Sequence, residues 1–392
     1  MQDDAIKTLL TRGVEEVIVK EHLEAALRSD KKLRVKLGID PTSPNIHIGR
    51  ARPLWKLRAF QELGHKVVFI VGDFTAIIGD TSDKDAERPM MTEEQIKKNI
   101  KSYFAQAAKI IDPKRAEMHY NSKWLKKLGF VEIGKLADLF GMHEFEAREN
   151  ISIRLKAGKR VSLRELLYPI MQGYDSVAVS ADLEIGGTDQ KFNLLAGRVI
   201  QKAYGQKPQD ILTTSLMEGT DGRKMSSSWG NVINITDGPN DMFGKVMSIP
   251  DRLIKEYFVL ATQVPLTQID EIVASNSNPK DQKIILAKEI TSLYHGKKAA
   301  DKAAEDFKKV FSDKKLPENI AEIKVHGKKI EILDLLLRIG ISSKSEARRL
   351  VEQGAVEIDQ KKKTNAKEII QLTLPFVIKV GKTKFYRIIS GK

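Results

Sequence analysis

Two phrases far apart in the chain carry residue types suited to phosphate chemistry: PTSPNIHIGR (Pro41 to Arg50) and GRKMSSS (Gly222 to Ser228). The first gathers a hydroxyl (Thr42), an imidazole (His47) and a guanidinium (Arg50) where a strand-like run hands over to a helix-like one. A helix N-terminus offers unpaired N–H groups and the positive end of a dipole, a ready site for phosphate. Gly49 has no side chain, so a flat ring can approach the backbone there. The second phrase follows MEGTDGRK, a turn-rich stretch that reads as a mobile loop able to carry Lys224 to a phosphate. In this order the two phrases point to activation of a carboxylate by ATP. In that reaction a carboxylate attacks the α-phosphorus and pyrophosphate leaves. The protein supplies no nucleophile, only donors and cations that place the reactants and stabilise charge.

These side chains need a scaffold. Leu33, Val35, Leu37 and Ile39 alternate with charged residues or glycine, and KVVFIVGD (Lys66 to Asp73) is a short β-branched run; both read as strands. Thr92 and Gln95 have capping-box spacing and are expected to open a helix to about Ile111. Residues 1–30 read as helical. Strand-like and helix-like segments alternate over 31–245, which implies an α/β domain with a doubly wound parallel sheet, residues 1–245, and ligands beyond the carboxyl ends of its strands. No GxGxxG opens the first helix, so a dinucleotide-binding reading has little support. Residues 246–320 read as a helical domain and 321–329 as a linker. Residues 330–392 read as a small α+β unit: a helix stopped by Gly340, a second one capped by Ser343, then short strands. Direct count from Ile330 gives 13 Lys+Arg against 7 Asp+Glu, a net of +6. Ala347, Leu350 and Val351 form an apolar stripe, leaving Lys344, Arg348 and Arg349 on other faces, a pattern suited to structured RNA.

The chain has 392 residues, 41% hydrophobic and 30% charged, with no cysteine and a formal net charge of +14. Zero cysteines exclude disulfides and cysteine-ligated zinc. No apolar run reaches the ~20 residues of a membrane span. The first residues do not read as a signal peptide, so a cytoplasmic protein with a polyanionic partner is expected.

The two phrases resemble the signatures of the class I aminoacyl-tRNA synthetases, usually spelled HIGH and KMSKS. The series Asp40-Pro41-Thr42, Gly79-Asp80, Lys84 to Arg88, Tyr168 to Asp175 and Gly186 to Gln190 is similar, in order, to the bacterial tyrosyl-tRNA synthetases, over nearly the whole chain. The resemblance implies a Rossmann-like catalytic domain, a helical domain on the anticodon side and a C-terminal S-four-type RNA-binding domain. It assigns Thr42, His47, Arg50, Lys84, Arg88 and Lys224 to catalysis. Asp40, His47, Gly49, Asp189, Lys224, Ser226 and Ser227 would meet ATP. Lys36, Asp80, Tyr168, Gln172, Asp175 and Gln190 would meet tyrosine, with Asp175 accepting from the phenol and Asn121 and Trp124 supporting that side. If the segment is helical, its spacing puts Tyr168, Gln172 and Asp175 on one face. RNA would meet Lys344, Arg348 and Arg349. The implied substrates are L-tyrosine, tRNA(Tyr) and ATP with Mg2+, with no protein-bound metal. A homodimer through an apolar surface around residues 125–165 is also implied.

Three residues depart from common family spellings. Arg50 replaces the second histidine of HIGH, Ser227 the second lysine of KMSKS, and Lys36 a tyrosine that contacts the phenol in many members. Arg50 is expected to act as a phosphate ligand and partly to offset the missing lysine. The alternatives are a tryptophanyl-type activity, which Asp175 and the basic tail disfavour, and a catalytically idle RNA-binding paralogue, which Asp80, Gln172, Asp175, Lys224 and Asp189 disfavour. A nucleotidyltransferase reading leaves the tail unexplained.

Overall fold

The β-branched runs become the strands of a six-stranded sheet: β1 (Val14–Ile18), β2 (Arg34–Ile39), β3 (Lys66–Val71), β4 (Ala116–Tyr120), β5 (Leu183–Gly187) and β6 (Asp210–Thr214). The computed structural model describes residues 2–81, 90–275, 278–312, 320–327, 329–341, 343–359, 361–381 and 384–391. Two compact units divide the chain: residues 1–236 with 256–261, and residues 237–255 with 262–392.

In the first unit the sheet order is β1-β6-β5-β2-β3-β4, parallel except for β1 against β6. The chain winds outward from β2 through β3 to β4, then returns to β5 and β6 on the other side of β2. The order therefore reverses between β2 and β5, and the loops leaving these two strands part to form a crevice. The strands are continuous apolar runs because both faces are covered: Val67, Val68, Phe69, Ile70 and Val71 are all fully buried. Gly173 and Gly197 bring the helices Leu163–Ala178 and Lys191–Ala203 together, since a Cβ on Gly173 would lie 3.0 Å from the Gly197 backbone nitrogen.

The N-terminal region departs from its helical reading. The helix Gln2–Thr11 ends before Gly13, whose φ is +62°, and Val14 to Ile18 pair with β6. The β-branched Val14, Val17 and Ile18 gain more as an edge strand than as a continued helix. The expected helix from Thr92 is also shorter. Thr92 and Gln95 exchange both capping-box bonds, but the first segment is Glu93–Ile100 and a second is Tyr103–Ala107.

The second unit starts at residue 237, earlier than the expected boundary at 245. Residues 256–261 fall within the first unit, where Arg12 donates to the carbonyls of Phe258 and Val259. Helices Pro279–His295 and Lys297–Ser312 dominate the helical part. The expected linker at 321–329 is structured instead. Its residues form β7 (Ala321–Val325) and begin β8 (Lys329–Glu331). β7 pairs parallel with β13 (Lys384–Ser390), a partner more than 50 residues away that local sequence does not reveal. With β9 (Val356–Ile358), β10 (Lys361–Lys363) and β12 (Phe376–Val380) they form a sheet of order β10-β9-β12-β13-β7; β11 (Ile369–Gln371) pairs with β8. The helices Ile332–Arg338 and Lys344–Glu352 share its core through Leu335, Leu336, Ala347 and Val351. Gly340 and Gly354 stop them with φ of +97° and +66°. Arg348 and Arg349 are exposed, as the stripe required, and Lys344 pairs with Asp334 at 2.8 Å.

Candidate active site

One cleft in the first unit is lined from the ends of β2, β3 and β5 and the segments after β4 and β6, the position the strand order dictates. At its centre stands Asp40, one residue past β2. Its Oδ1 accepts from Thr75 Oγ1 at 2.7 Å and its Oδ2 from the Tyr168 hydroxyl at 2.9 Å. Loss of solvent pushes its carboxyl up to about 6, opposed by these two bonds and by the Arg50 charge. Gly72 makes room: a Cβ there would lie 2.0 Å from Asp40 Oδ1.

His47 is the N-cap of the helix Ile48–Glu62, and its Nδ1 accepts the Arg50 N–H at 3.3 Å. That bond places the ring proton on Nε2. Burial, then the Arg50 charge, lower its pKa to about 3, so the imidazole is a neutral donor across the working pH range. A Cβ on Gly49 would lie 3.1 Å from His47 Nδ1 and 3.3 Å from Met225 Sδ, so this wall is flat only because residue 49 is glycine. The Arg50 guanidinium turns into the cleft, with Nη2 donating to Thr42 Oγ1 at 2.8 Å and Nη1 to the Asp40 carbonyl at 3.4 Å.

The KMSSS segment lies along the same cleft. Lys224 Nζ reaches Asp189 Oδ2 at 3.0 Å. Ser227 Oγ donates to Ser43 Oγ at 3.3 Å, one residue from the threonine that Arg50 holds, so Arg50 and Ser227 converge on one turn. The loop is pinned at its base. Asn231 Oδ1 accepts from Ser226 N at 2.9 Å, its Nδ2 donates to Asp221 Oδ1 at 2.7 Å and the Lys224 carbonyl at 3.0 Å, and Met225 is buried. Lys84 and Arg88 lie outside the described residues.

On the opposite side the helix Leu163–Ala178 turns Tyr168, Gln172 and Asp175 toward the cleft, as their spacing required. Asp175 is 3% exposed, and both its oxygens are met by donors: Trp124 Nε1 at 2.7 Å and Asn121 Nδ2 at 3.2 Å. Asn121 is itself held by the Phe74 N–H on its Oδ1. Burial pushes the Asp175 carboxyl up to about 7, against the opposing charge of Lys36 and the two donors. Asp80 accepts from Gln190 Nε2 at 2.6 Å, and both line the cleft. Lys36 does not line it. Its side chain is fully buried behind the helix, bonding the Gln172 carbonyl at 2.9 Å, Ser176 Oγ at 2.8 Å and Glu184 at 2.9 Å. A strand residue points to one face only, and the Lys36 side chain is taken up by this buried pair.

The family model described as tRNA synthetases class I (W and Y) matches residues 28–312, and one for a tyrosine–tRNA ligase SYY-like C-terminal domain matches residues 311–388. The chain belongs to the class I tRNA synthetases of the tryptophan and tyrosine group. The tyrosine–tRNA ligase of Thermotoga maritima is 46% identical over 390 residues, covering 98% of this chain and 97% of its own length. That of Carboxydothermus hydrogenoformans is 46% identical over 400 residues, covering 98% and 97%. Among solved structures, the Archaeoglobus fulgidus tyrosyl-tRNA synthetase complexed with L-tyrosine aligns at TM-score 0.62 and 22% identity, covering 78% of this chain and 100% of that one. A truncated mitochondrial tyrosyl-tRNA synthetase of Coccidioides posadasii aligns at 0.63 and 24%, covering 77% and 91%. These two share the fold. The chain is thus an aminoacyl-tRNA synthetase, and ATP is the nucleotide of its class.

Sequence reasoning missed Thr75, Glu184, Asn193 and Asn231, which hold the residues it found. Each is polar and buried or half-buried, and nothing in its neighbours marks it.

Proposed function

We propose that the chain activates L-tyrosine with ATP and magnesium, forming tyrosyl-adenylate and pyrophosphate, and transfers the tyrosyl group to the 3′ end of tRNA(Tyr). The observation that carries this is Asp175: a buried carboxylate in the same cleft as His47 and Lys224, with its orientation fixed by Trp124 and Asn121. It accepts a hydrogen bond from the phenol. Trp124 and Asn121 leave each oxygen a further lone pair for the phenol, and a substrate without the hydroxyl buries that lone pair against apolar carbon with no donor to replace it.

Tyr168, Gln172 and Asp80 hold the ammonium group, and Gln190 faces the carboxylate that attacks. The neutral His47 donates through Nε2 to the nucleotide. Adenine lies on the flat wall at Gly49, and Asp189 takes the ribose. Lys224, released from Asp189 when the ribose arrives, meets the phosphates with Ser226 and Ser227. Arg50, already in the cleft, supplies the second cation that Ser227 lacks. Magnesium arrives with the nucleotide as part of the substrate; among the described residues no cluster of three His, Cys, Asp or Glu side chains forms a metal site. The basic face of Lys344, Arg348 and Arg349 contacts tRNA phosphates. Phe130, Val131, Met142, Ile153 and Leu163 are all exposed apolar side chains within or beside residues 125–165, and a second copy of the chain covers this stretch. Light scattering that finds a monomer at micromolar concentration would exclude that dimer. No described helix is long and apolar enough to cross a membrane, and the protein works in the cytoplasm.

The deciding assay is exchange of labelled pyrophosphate into ATP with each of the twenty amino acids. Tyrosine alone should support it. Exchange with tryptophan instead, or none from folded protein, overturns the assignment.

A further inference from the structure

The two glutamines of the amino-acid side, Gln172 and Gln190, can each turn either end of the carboxamide toward a ligand. An oxygen accepts from an ammonium; a nitrogen donates to a carboxylate. Neighbouring side chains, most of them behind the cleft lining, fix that choice. Asn193, on the helix Lys191–Ala203, is fully buried, and its Nδ2 donates both to Gln172 Oε1 at 3.2 Å and to Gln190 Oε1 at 2.9 Å. Its own Oδ1 has no hydrogen-bond partner, so this amide sits there for its two donors. The other end of each glutamine meets a carboxylate. Gln172 Nε2 donates to Glu184 Oε1 at 3.2 Å, and Gln190 Nε2 to Asp80 Oδ2 at 2.6 Å. A flipped Gln172 would set oxygen against carboxylate and nitrogen against nitrogen, and a flipped Gln190 would do the same. Each orientation is therefore locked at both ends.

The polarity of the array comes from Lys36. Its ammonium lies 2.9 Å from Glu184, which also accepts from Ser176 Oγ at 3.1 Å and Gln209 Nε2 at 2.6 Å. A carboxylate ringed by four donors acts only as an acceptor. Gln172 must then offer it nitrogen, Asn193 must offer Gln172 a nitrogen, and the same amide group sets Gln190.

We propose that Asn193 is a positioning residue that orients the carboxamides of Gln172 and Gln190 together, with the buried Lys36–Glu184 pair setting the direction of the array. The proposal rests on the reading above that these glutamines face the ammonium and carboxylate of the amino acid. Asn193 touches no substrate; it decides which atoms the substrate meets.

The test uses the full-length chain carrying Asn193→Ala or Asn193→Asp. Pyrophosphate exchange gives kcat and the KM values for tyrosine and ATP, and tyrosinol, which lacks the carboxylate, serves as a competitive inhibitor. Alanine removes both donors and leaves two carbonyls unsatisfied. Aspartate keeps the shape but turns an acceptor on two acceptors. The expected order of kcat/KM for tyrosine is Asn above Ala above Asp, with Ala lower by roughly 10- to 100-fold and KM for ATP within about twofold of the parent. Tyrosinol should weaken less than tyrosine, since it does not use the Gln190 end. A packing role instead puts Asp above Ala, both below the parent, because aspartate fills the site and alanine leaves a hole. That order, or equal losses for tyrosine, tyrosinol and ATP, overturns the proposal. Should Asn193→Asp be recovered unfolded, the tyrosine–tyrosinol–ATP comparison in Asn193→Ala decides alone. A parent that exchanges no pyrophosphate with tyrosine sinks the functional reading and the positioning claim with it; a parent active with tyrosine whose variants give the packing order sinks only the positioning.

Discussion

Asp175→Asn separates the cost of the phenol site from its use. The carboxyl is 3% exposed and its pKa is pushed from 3.8 to about 7, first by burial. At about 1.4 kcal/mol per pH unit, keeping it ionised above pH 7 costs on the order of 4 kcal/mol relative to the unfolded chain. The sign follows from a folded pKa above the unfolded one: the contribution to stability is fully present below about pH 4 and is lost as pH rises through about 7. Asparagine removes that titration but brings its own misfit. Both Asp175 oxygens face donors, Trp124 Nε1 and Asn121 Nδ2, so either orientation of the new amide opposes an NH2 to an N–H. Leaving those groups unsatisfied costs about 1–3 kcal/mol. The variant should therefore be more stable than the parent by about 1–3 kcal/mol at pH 8 and lose that advantage toward pH 5. Activity moves the other way. The parent's kcat/KM for tyrosine should fall by up to about tenfold per unit below pH 7 as the acceptor protonates. The variant should be flat with pH and lower by roughly 2–4 kcal/mol in transition-state stabilisation. Thermal melts and pyrophosphate exchange from about pH 5.5 to 8.5 measure both. A parent whose tyrosine kcat/KM does not change over that range refutes the reasoning. So does a variant that is less stable at pH 8 and activates tyrosine as well as the parent.

Lys224→Ala should lower kcat for adenylate formation by about 10²–10³ with little change in the KM for ATP, since the lysine rests on Asp189 and meets phosphate charge only as it develops; a change confined to KM would place Lys224 in ground-state binding. Arg50→His should lower kcat, and more at high pH where histidine is neutral; a rate equal to the parent's from about pH 6 to 9 would mean that the guanidinium beside Thr42 takes no part, and its compensation for Ser227 goes with it. Deleting residues 320–392, which removes β7 along with its sheet, should leave tyrosyl-adenylate formation nearly intact and abolish a salt-sensitive part of tRNA binding; normal charging by the truncated chain would give the tail another role.

What the sequence determined by itself was chemistry carried by local order. HIGR had to begin a helix, because a polar turn, a capping histidine and a helical run follow one another. Tyr168, Gln172 and Asp175 had to share a face, because helical spacing puts them there. The doubly wound sheet followed from alternating runs whose periods differ. Tertiary structure decided what depends on partners distant in the chain. Residues 14–18 and 321–325 became strands only because β6 and β13 offered edges, a gain that no local propensity records. The family resemblance places Lys36 in the pocket, where many members carry a tyrosine, yet Glu184, 148 positions away, holds its charge behind the helix. A buried ammonium is stable only where a carboxylate is buried with it, and where that carboxylate lies is fixed by strand order, not by neighbours in the chain. The same holds for Asn193 and Asn231: a buried amide acquires a role only from the groups that the fold brings to its two ends.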